Sequence, residues 1–181
     1  MHSLFPSYDT EYIPSIIPSS SGETIAQLHD RCAYALQYII TQADAEDYAH
    51  RTQTQERGPG EGDSLGDRTA ILICTHAASL IAVGRALTGK MPGDMCEEDF
   101  KTYTCGISKF TRRVMPSSVQ RLEGRISGEE IPRFNWQHGI GVAGEIDCES
   151  NSDCSHLDGG EERGWWVISI CLSLFGDLIF R

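Results

Sequence analysis

His76 is the residue whose type and setting most clearly offer chemistry. It follows an apolar run at 70–74 and precedes AASLIAVGRALTG, whose apolar residues recur at helical spacing. The first N–H groups of a helix have no partner within the helix, so an anion is stabilised at that end. An imidazole there can add a contact to a phosphate. The alternative is a turn histidine bonded only to nearby backbone, and position alone does not separate the two.

Cys148, Cys154 and His156 form a second group with possible chemistry, because thiolates and imidazoles are zinc ligands. Their spacing in CESNSDCSH is not that of a usual zinc knuckle, and a fourth ligand such as His138 would have to come from elsewhere. We therefore interpret them as free thiols in a polar loop. The sequence predicts neither a metal nor a cofactor.

The elements around His76 are predicted to be a strand and a helix. The continuous apolar run 70–74 is typical of a strand covered on both faces in a parallel sheet. The following helix places Leu80, Val83 and Leu87 on one side, and Gly89 is a plausible C-cap. Ligands gather at the carboxyl ends of such strands, where His76 would lie.

A longer helix is predicted from Ser20, because Ser20 and Glu23 have the spacing of a capping box. Its apolar stripe consists of Ile25, Leu28, Cys32, Leu36 and Ile39, joined by Ala35 and Ile40, while His29, Asp30, Arg31 and Gln37 lie mostly off it. A further strand is predicted at 104–112, where residue types alternate.

The chain is predicted to divide by composition into a main region and less regular flanks. The main region, 21–112, is a partial α/β domain. Its acidic stretch 44–68 has almost no apolar side chain to bury and is interpreted as a flexible loop. The other parts are an extended arm at 1–20, an irregular extension at 113–165 and an apolar tail of unclear status at 166–181, which is shorter than a membrane span.

The net charge of −11, from 26 acidic and 15 basic residues, disfavours direct binding to nucleic acid. The only basic neighbourhood comprises Arg112, Arg113, Arg121, Arg125 and Arg133, either solvated or docked on an acidic partner. Seven irregularly spaced cysteines and the absence of a signal sequence after Met1 predict the cytosol or the nucleus. Trp136, Trp165 and Trp166 are expected in a core or an interface.

The stretch LICTHAASLIAVGRALTG resembles the second-histidine motif of the histidine phosphatase superfamily, whose members have the phosphoglycerate mutase-like fold. Gly22, Glu23 and Thr24 resemble the Gly-Glu-Ser segment of that family. The resemblance covers about 22–110. It implies a three-layer α/β fold with helices on both faces of a sheet, here incomplete at the N-terminus because the first strand is missing.

A closer resemblance is to fungal proteins related to transcription factor C subunit 7, a phosphatase-like subunit of the RNA polymerase III initiation factor, transcription factor IIIC. It extends through FPSYDTEYIPSIIPSSSGETIAQLHDRCAYALQYII and again through NSDCSHLDGGEERGW. It implies a nuclear protein whose partners are other protein subunits of a transcription complex, with no membrane.

The chemistry of the superfamily passes through a phosphohistidine, whose nucleophile comes from an Arg-His-Gly tripeptide on the first strand. This sequence contains no such tripeptide. The nearest is Gln137-His138-Gly139, which has no strand before it. By resemblance His76 is the second histidine, which stabilises the phosphoryl group and does not attack it. We do not assign Glu23 as the catalytic acid of the family, since its spacing already predicts a capping role.

Two functions follow from the resemblance. The leading hypothesis is a phosphatase-like, non-catalytic protein-interaction subunit or fragment, which could be a truncated product or gene model, with a phosphorylated ligand possible near His76. The alternative is a phosphomonoesterase or mutase whose nucleophile lies on sequence outside this chain.

Overall fold

The computed structural model describes residues 14–56, 69–94, 97–114, 126–127, 130–133 and 135–162. The elements in chain order are β1 (Ile16–Ile17), α1 (Ile25–Glu56), α2 (Ala77–Thr88), β2 (Ile107–Val114), β3 (Ile126–Ser127) and β4 (Glu145–Asp153). This mixture of helices and strands confirms the coarse α/β prediction, whereas the three-layer sheet stays a prediction. The strands assigned in these residues form two sheets of two strands each.

The start of α1 differs from the Ser20 prediction. Thr24 N donates to Gln27 Oε1 at 2.8 Å, and Gln27 N donates to Thr24 Oγ1 at 3.3 Å. This reciprocal pair is a capping box placed further along the chain. Gly22 has φ +90°, which no right-handed helix contains, so a helix capped at Ser20 cannot form. The predicted Ser20–Glu23 box is therefore wrong.

The end of α1 also differs from the prediction, because the helix continues to Glu56 and the expected loop does not begin at 44. Residues 57–68 lie outside the described ranges. The polar stretch from Asp44 contains Ala, Gln, Glu and Arg, which favour helix without any apolar contact. Asp44 also accepts two hydrogen bonds from Arg112 of β2, at 2.6 and 2.9 Å, which hold this part of the helix against the sheet.

The predicted strand 70–74 is wrong. These residues belong to neither helix nor strand, and the whole stretch 69–76 is exposed. A continuous apolar run becomes a strand only when a neighbouring strand supplies its hydrogen bonds, and none of the strands described pairs with it. The helix that follows is confirmed as α2, and Gly89 ends it with φ +68°, the left-handed C-cap that was predicted.

β2 confirms the predicted strand near 104–112, shifted to later residues. It pairs antiparallel with β4, with Phe110 opposite Cys148 and Arg112 opposite Ile146. The prediction that 113–165 is irregular is thus wrong for β4. The polar sequence EIDCESNSD gives little alternation to recognise. Exposed cross-strand ion pairs support it instead, including Lys109 with Glu149 at 2.6 Å.

The expected arm and tail are described only in small part. β1, within the arm, pairs in parallel with β3, and Ile126 N donates to Ser15 O at 2.9 Å. Residues 1–13 of the arm and the whole tail, 166–181, lie outside the described ranges.

The core lies where α1, α2 and β4 meet around Trp136, which is 2% exposed. Ala33, Leu36, Ala86, Leu87, Val142, Ala143 and Ile146 complete this buried cluster. The core position expected for Trp136 is confirmed, while Trp165 and Trp166 lie outside the described residues. The predicted stripe of α1 is confirmed at Leu28, Cys32 and Leu36, whereas Ile25 and Ile39 are exposed.

Neither α1 nor α2 contains a stretch that is long and apolar enough to cross a bilayer.

Candidate functional site

His76 lies at the N-terminal end of α2 with its side chain available. Its backbone is extended, with φ −100° and ψ 165°, and its carbonyl accepts the first helical hydrogen bond from Leu80 N at 2.8 Å. The imidazole is exposed and makes no capping hydrogen bond. The helix therefore does not use this side chain for its own stability, and the ring can contact a ligand at the helix end.

The chain leading to His76 has an acidic neighbour at its far end. Thr69 Oγ1 donates to Asp47 Oδ1 of α1 at 3.0 Å. Between Thr69 and His76 the sequence supplies no lysine or arginine. Binding of a phosphoryl group requires cations around its oxygens, and the approach to His76 provides none of its own.

His138 is placed at the opposite end of α2. Gly139 N donates to the carbonyl of the C-cap residue Gly89 at 2.8 Å, which fixes the loop that carries His138. A helix of twelve residues is about 18 Å long. The two imidazoles therefore cannot act on one phosphoryl group in this arrangement, and the structure does not bring His76 and His138 together.

A cleft of about 590 Å³ opens beside the C-terminal end of α2. Lys90, Glu97, Asp99 and His138 contribute its polar wall, and Met91 and Pro92 part of its apolar wall. The negative end of the α2 dipole adjoins this space, and Glu97 and Asp99 line it beside Lys90, so the cleft suits an anion poorly. The cleft does not supply the phosphate site that Gln137-His138-Gly139 would need.

Arg85 is a buried cation that the sequence analysis did not single out. Only 2% of it is exposed, and its guanidinium donates to both carboxylate oxygens of Asp99 at 2.8 to 3.1 Å. A further N–H reaches the carbonyl oxygen of Glu97 at 3.0 Å. The signal in the sequence was a lone arginine on the Ala82, Ala86 face of an apolar helix, followed by the acidic stretch EED. Because its donors are used within the chain, this arginine holds α2 and does not serve a ligand.

His29 also belongs to this cluster. The prediction that it lies off the apolar stripe of α1 is wrong, since only 4% of it is exposed. Its Nδ1 donates to the carbonyl of Ile25 at 2.7 Å, and its Nε2 faces Arg85 Nη1 at 3.5 Å. The ring stacks on Trp136 with centroids 6.0 Å apart. Burial, together with the Arg85 cation, lowers the pKa of His29 against the opposing hydrogen bond to Ile25. His29 is thus a neutral packing residue.

Glu23 has a different duty from the one expected. Its carboxylate accepts from Arg31, with 2.8 Å between Nε and Oε2, and this hydrogen bond raises the pKa of the arginine. The pair spans the entry to α1. Glu23 is therefore neither the helix cap nor an unengaged acid.

Cys148 and Cys154 are free thiols as predicted, but the predicted polar loop is wrong, because Cys148 lies in β4 and Cys154 is buried. Cys148 Sγ donates to the carbonyl of Ser150 at 3.1 Å, and Cys154 Sγ lies 3.5 Å from the carbonyl of Ser152. Burial raises the pKa of both thiols, which favours the protonated form and disfavours metal binding. Within the described ranges no three His, Cys, Asp or Glu side chains are grouped to hold a metal ion.

The basic neighbourhood is largely neutralised where it is described. Arg112 pairs with Asp44, Arg113 with Asp147 at 2.6 Å, and Arg133 with Asp30 at 3.2 Å. Arg121 and Arg125 lie outside the described residues. Each described arginine therefore has a carboxylate partner within this chain, and such pairs reduce its availability to a phosphate backbone.

Comparison with protein-family models, with curated proteins and with solved structures finds no match to the chain. The resemblance to histidine phosphatases therefore rests on the residues within 22–110 and stays a prediction.

Proposed function

We propose that this chain is a phosphatase-like protein-interaction subunit that acts without phosphoryl transfer, in the RNA polymerase III initiation machinery of the nucleus. The observation that carries the proposal is the exposed apolar run at 70–74. Ile71 and Ile73 are 43% and 42% exposed, and Leu72 is 90% exposed. Adjacent large apolar side chains left in water mark a protein-interaction site.

The separation of the two imidazoles supports the non-catalytic part of the proposal. Phosphoryl transfer through a phosphohistidine needs a nucleophile, cations and an acid within a few ångströms of one phosphorus atom. His76 stands at one end of α2, the loop of His138 at the other, and Arg85 is engaged by Asp99. A phosphorylated ligand at His76 would thus be held by one imidazole and the helix end.

The phosphoglycerate mutase-like sheet belongs to the same proposal. In that fold the residues that the run 70–74 resembles form a strand between neighbours. Here the run is in neither helix nor strand, and its apolar character would suit pairing with an added strand.

The enzymatic alternative is favoured by one observation: the exposed imidazole of His76 directly precedes the free N–H groups of α2. A phosphomonoesterase would use this position for the phosphoryl oxygens, with its nucleophile from elsewhere. Its activity would depend on His76 whatever the source of that nucleophile.

The test combines binding and activity in one set of samples. Purified subunits of a fungal RNA polymerase III initiation factor are mixed with the chain and with His76→Ala, and the same proteins are assayed on an aryl phosphate beside His138→Ala. We expect equal binding of the chain and His76→Ala, and no hydrolysis by the chain above that of its variants. Hydrolysis that disappears with His76→Ala would establish the enzymatic alternative. Failure of every subunit to bind would refute the proposed function.

A further inference from the structure

The exposed fraction of the side chains alternates at the centre of the run 70–74. Ile71 and Ile73 are a little over 40% exposed, whereas Leu72 between them is 90% exposed. In an extended chain, residues two apart share a face and the residue between them points the opposite way. The exposure of Ile71, Leu72 and Ile73 matches this pattern, with Leu72 the most exposed of the three.

The backbone of this run is available for hydrogen bonding. Among the described residues, no backbone N–H or carbonyl of 70–75 is bonded to another backbone group. Five residues of extended chain are about 17 Å long, which is an ordinary strand length. An extended segment of another protein can therefore add to it edge to edge, as in β-strand addition.

The charge around the run selects the kind of partner. Residues 44–56 of α1 contain four acidic residues and one arginine, and Asp47 of this stretch contacts Thr69 at the start of the run. The sequence 69–84 contains no Asp, Glu, Lys or Arg. A second copy of this chain would bring the same negative charge, and two chains of net charge −11 repel each other. Charge complementarity thus favours a basic partner over self-association.

We propose that residues 70–74 form a strand-docking edge that accepts an extended apolar strand flanked by lysine or arginine from a partner protein. This inference rests on the proposed function and specifies its partner by chemistry. Backbone hydrogen bonds align the partner strand, and an apolar partner side chain covers Leu72. Basic flanking residues are attracted to the acidic part of α1 around Asp47, which contacts Thr69.

The test uses short synthetic peptides of alternating valine and threonine, and measures their binding to the whole chain by fluorescence anisotropy. One peptide carries lysines at both ends, a second carries glutamates, and a third is the lysine peptide with alternate backbone nitrogens methylated. The lysine peptide is expected to bind about tenfold more tightly than the glutamate peptide at low salt, with a smaller difference as salt is added. The methylated peptide is expected not to bind, because it lacks the N–H donors of a strand.

The variants that locate the site are Leu72→Asp and, as a matched control, Ile140→Asp. Ile140 is 49% exposed in the loop at the opposite end of α2. We expect Leu72→Asp to weaken binding of the lysine peptide at least about tenfold, since one buried leucine is lost, and Ile140→Asp to leave it unchanged. Circular dichroism verifies that both variants fold, and Leu72→Ser replaces the aspartate variant if that one does not.

Three results would overturn the proposal. Equal binding of the methylated peptide would mean that no strand pairing occurs. Equal binding of the glutamate peptide would remove the preference for a basic partner. A dimer in sedimentation that Leu72→Asp dissociates would identify a second copy as the occupant.

Failure here is distinguishable from failure of the proposed function. If factor subunits bind the chain but the peptides do not, the interaction subunit stands and the strand-docking edge is refuted. If the peptides bind as expected but no factor subunit does, the edge stands and the proposed function is refuted.

Discussion

The two ends of α2 differ in exposure, charge and contacts. At its N-terminal end, residues 69–76 are all exposed, and His76 makes no capping bond. At its C-terminal end, Ala82 and Ala86 are fully buried, and the charge of Arg85 is met by Asp99. The end that resembles a catalytic motif is thus the end with fewer internal contacts.

This difference shows how one short helix can serve stability and recognition at once. The buried end fixes the helix against α1 and Trp136, while His76 and the strand-docking edge at the other end stay exposed. The variants below test that separation, beginning with those expected to have the largest effect.

Replacement of Trp136 by alanine is expected to cost about 3–5 kcal/mol in the free energy of unfolding, because it removes the largest side chain of the core. His76→Ala is the control from the exposed end, with a change expected within about 0.5 kcal/mol. Urea denaturation followed by circular dichroism measures both. Equal losses would show that the two ends of α2 are not separate in their energetics.

Replacement of Arg85 by methionine is expected to cost about 3 kcal/mol or more, because Asp99 would lose its cation in a partly buried site. The matched control is Arg113→Met, whose ion pair with Asp147 is exposed on the sheet and is expected to contribute at most about 1 kcal/mol. The same denaturation experiment compares them. If the two variants lose the same stability, Arg85 is not the residue that fixes α2.

Gly84→Ala is expected to destabilise the chain by about 1–3 kcal/mol, because the new Cβ would lie 2.6 Å from the ring of Phe100. Ser79→Ala, nearer the exposed end of the same helix, is expected to change stability by less than about 0.5 kcal/mol. Adding Phe100→Leu to Gly84→Ala should recover part of the loss. A more stable Gly84→Ala would mean that the ring moves aside and that helix propensity decides.

Acidification should give the smallest effect. Because burial lowers the pKa of His29 in the folded chain, the unfolded chain binds more protons below the ordinary histidine pKa of 6.5. The contribution of His29 to stability is therefore complete above 6.5, decreases as the pH falls through that value, and levels off below the pKa of the folded state. His29→Gln should reduce this dependence. Thermal unfolding at several pH values measures this dependence. Identical pH profiles for the chain and for His29→Gln would contradict the burial of His29.

The sequence predicted those parts of the fold that depend on local chemistry. α2 and its Gly89 cap follow from apolar spacing and from the left-handed conformation that glycine adopts at low cost. The strand around 104–112 follows from alternation. The core position of Trp136 follows from its size, since so large a ring is rarely left in water.

The parts that failed depend on partners distant in sequence. An apolar run predicts a strand only if another strand lies beside it, and that condition is not visible in 70–74 itself. The part of α1 around Asp44 is held by Arg112, which is far from it in the sequence. β4 is polar, so its pairing with β2 gives little periodic signal.

The candidate site was predicted in position but not in surroundings. His76 precedes α2 as the sequence indicated, because a strand-like run followed by helical spacing defines that boundary. The burial of Arg85 and His29 escaped prediction, since their neighbours come from two helices and from the segment after α2. An arginine on an apolar helix indicates a buried ion pair only when the carboxylate that it contacts is known.

The contact between Gly89 and Gly141 has a consequence for how this sequence can change. A Cβ at Gly89 would lie 2.5 Å from the nitrogen of Gly141, and one at Gly141 would lie 2.5 Å from the carbonyl oxygen of Leu87. The end of α2 and the loop 137–141 therefore meet backbone against backbone, with no side chain between them. Ile140 is exposed and can be replaced without moving the loop, whereas His138 has φ +60°, which few side chains adopt at low cost, and either glycine is irreplaceable. The shape of the cleft is therefore constrained by backbone contacts and by the conformation of the loop that lines it.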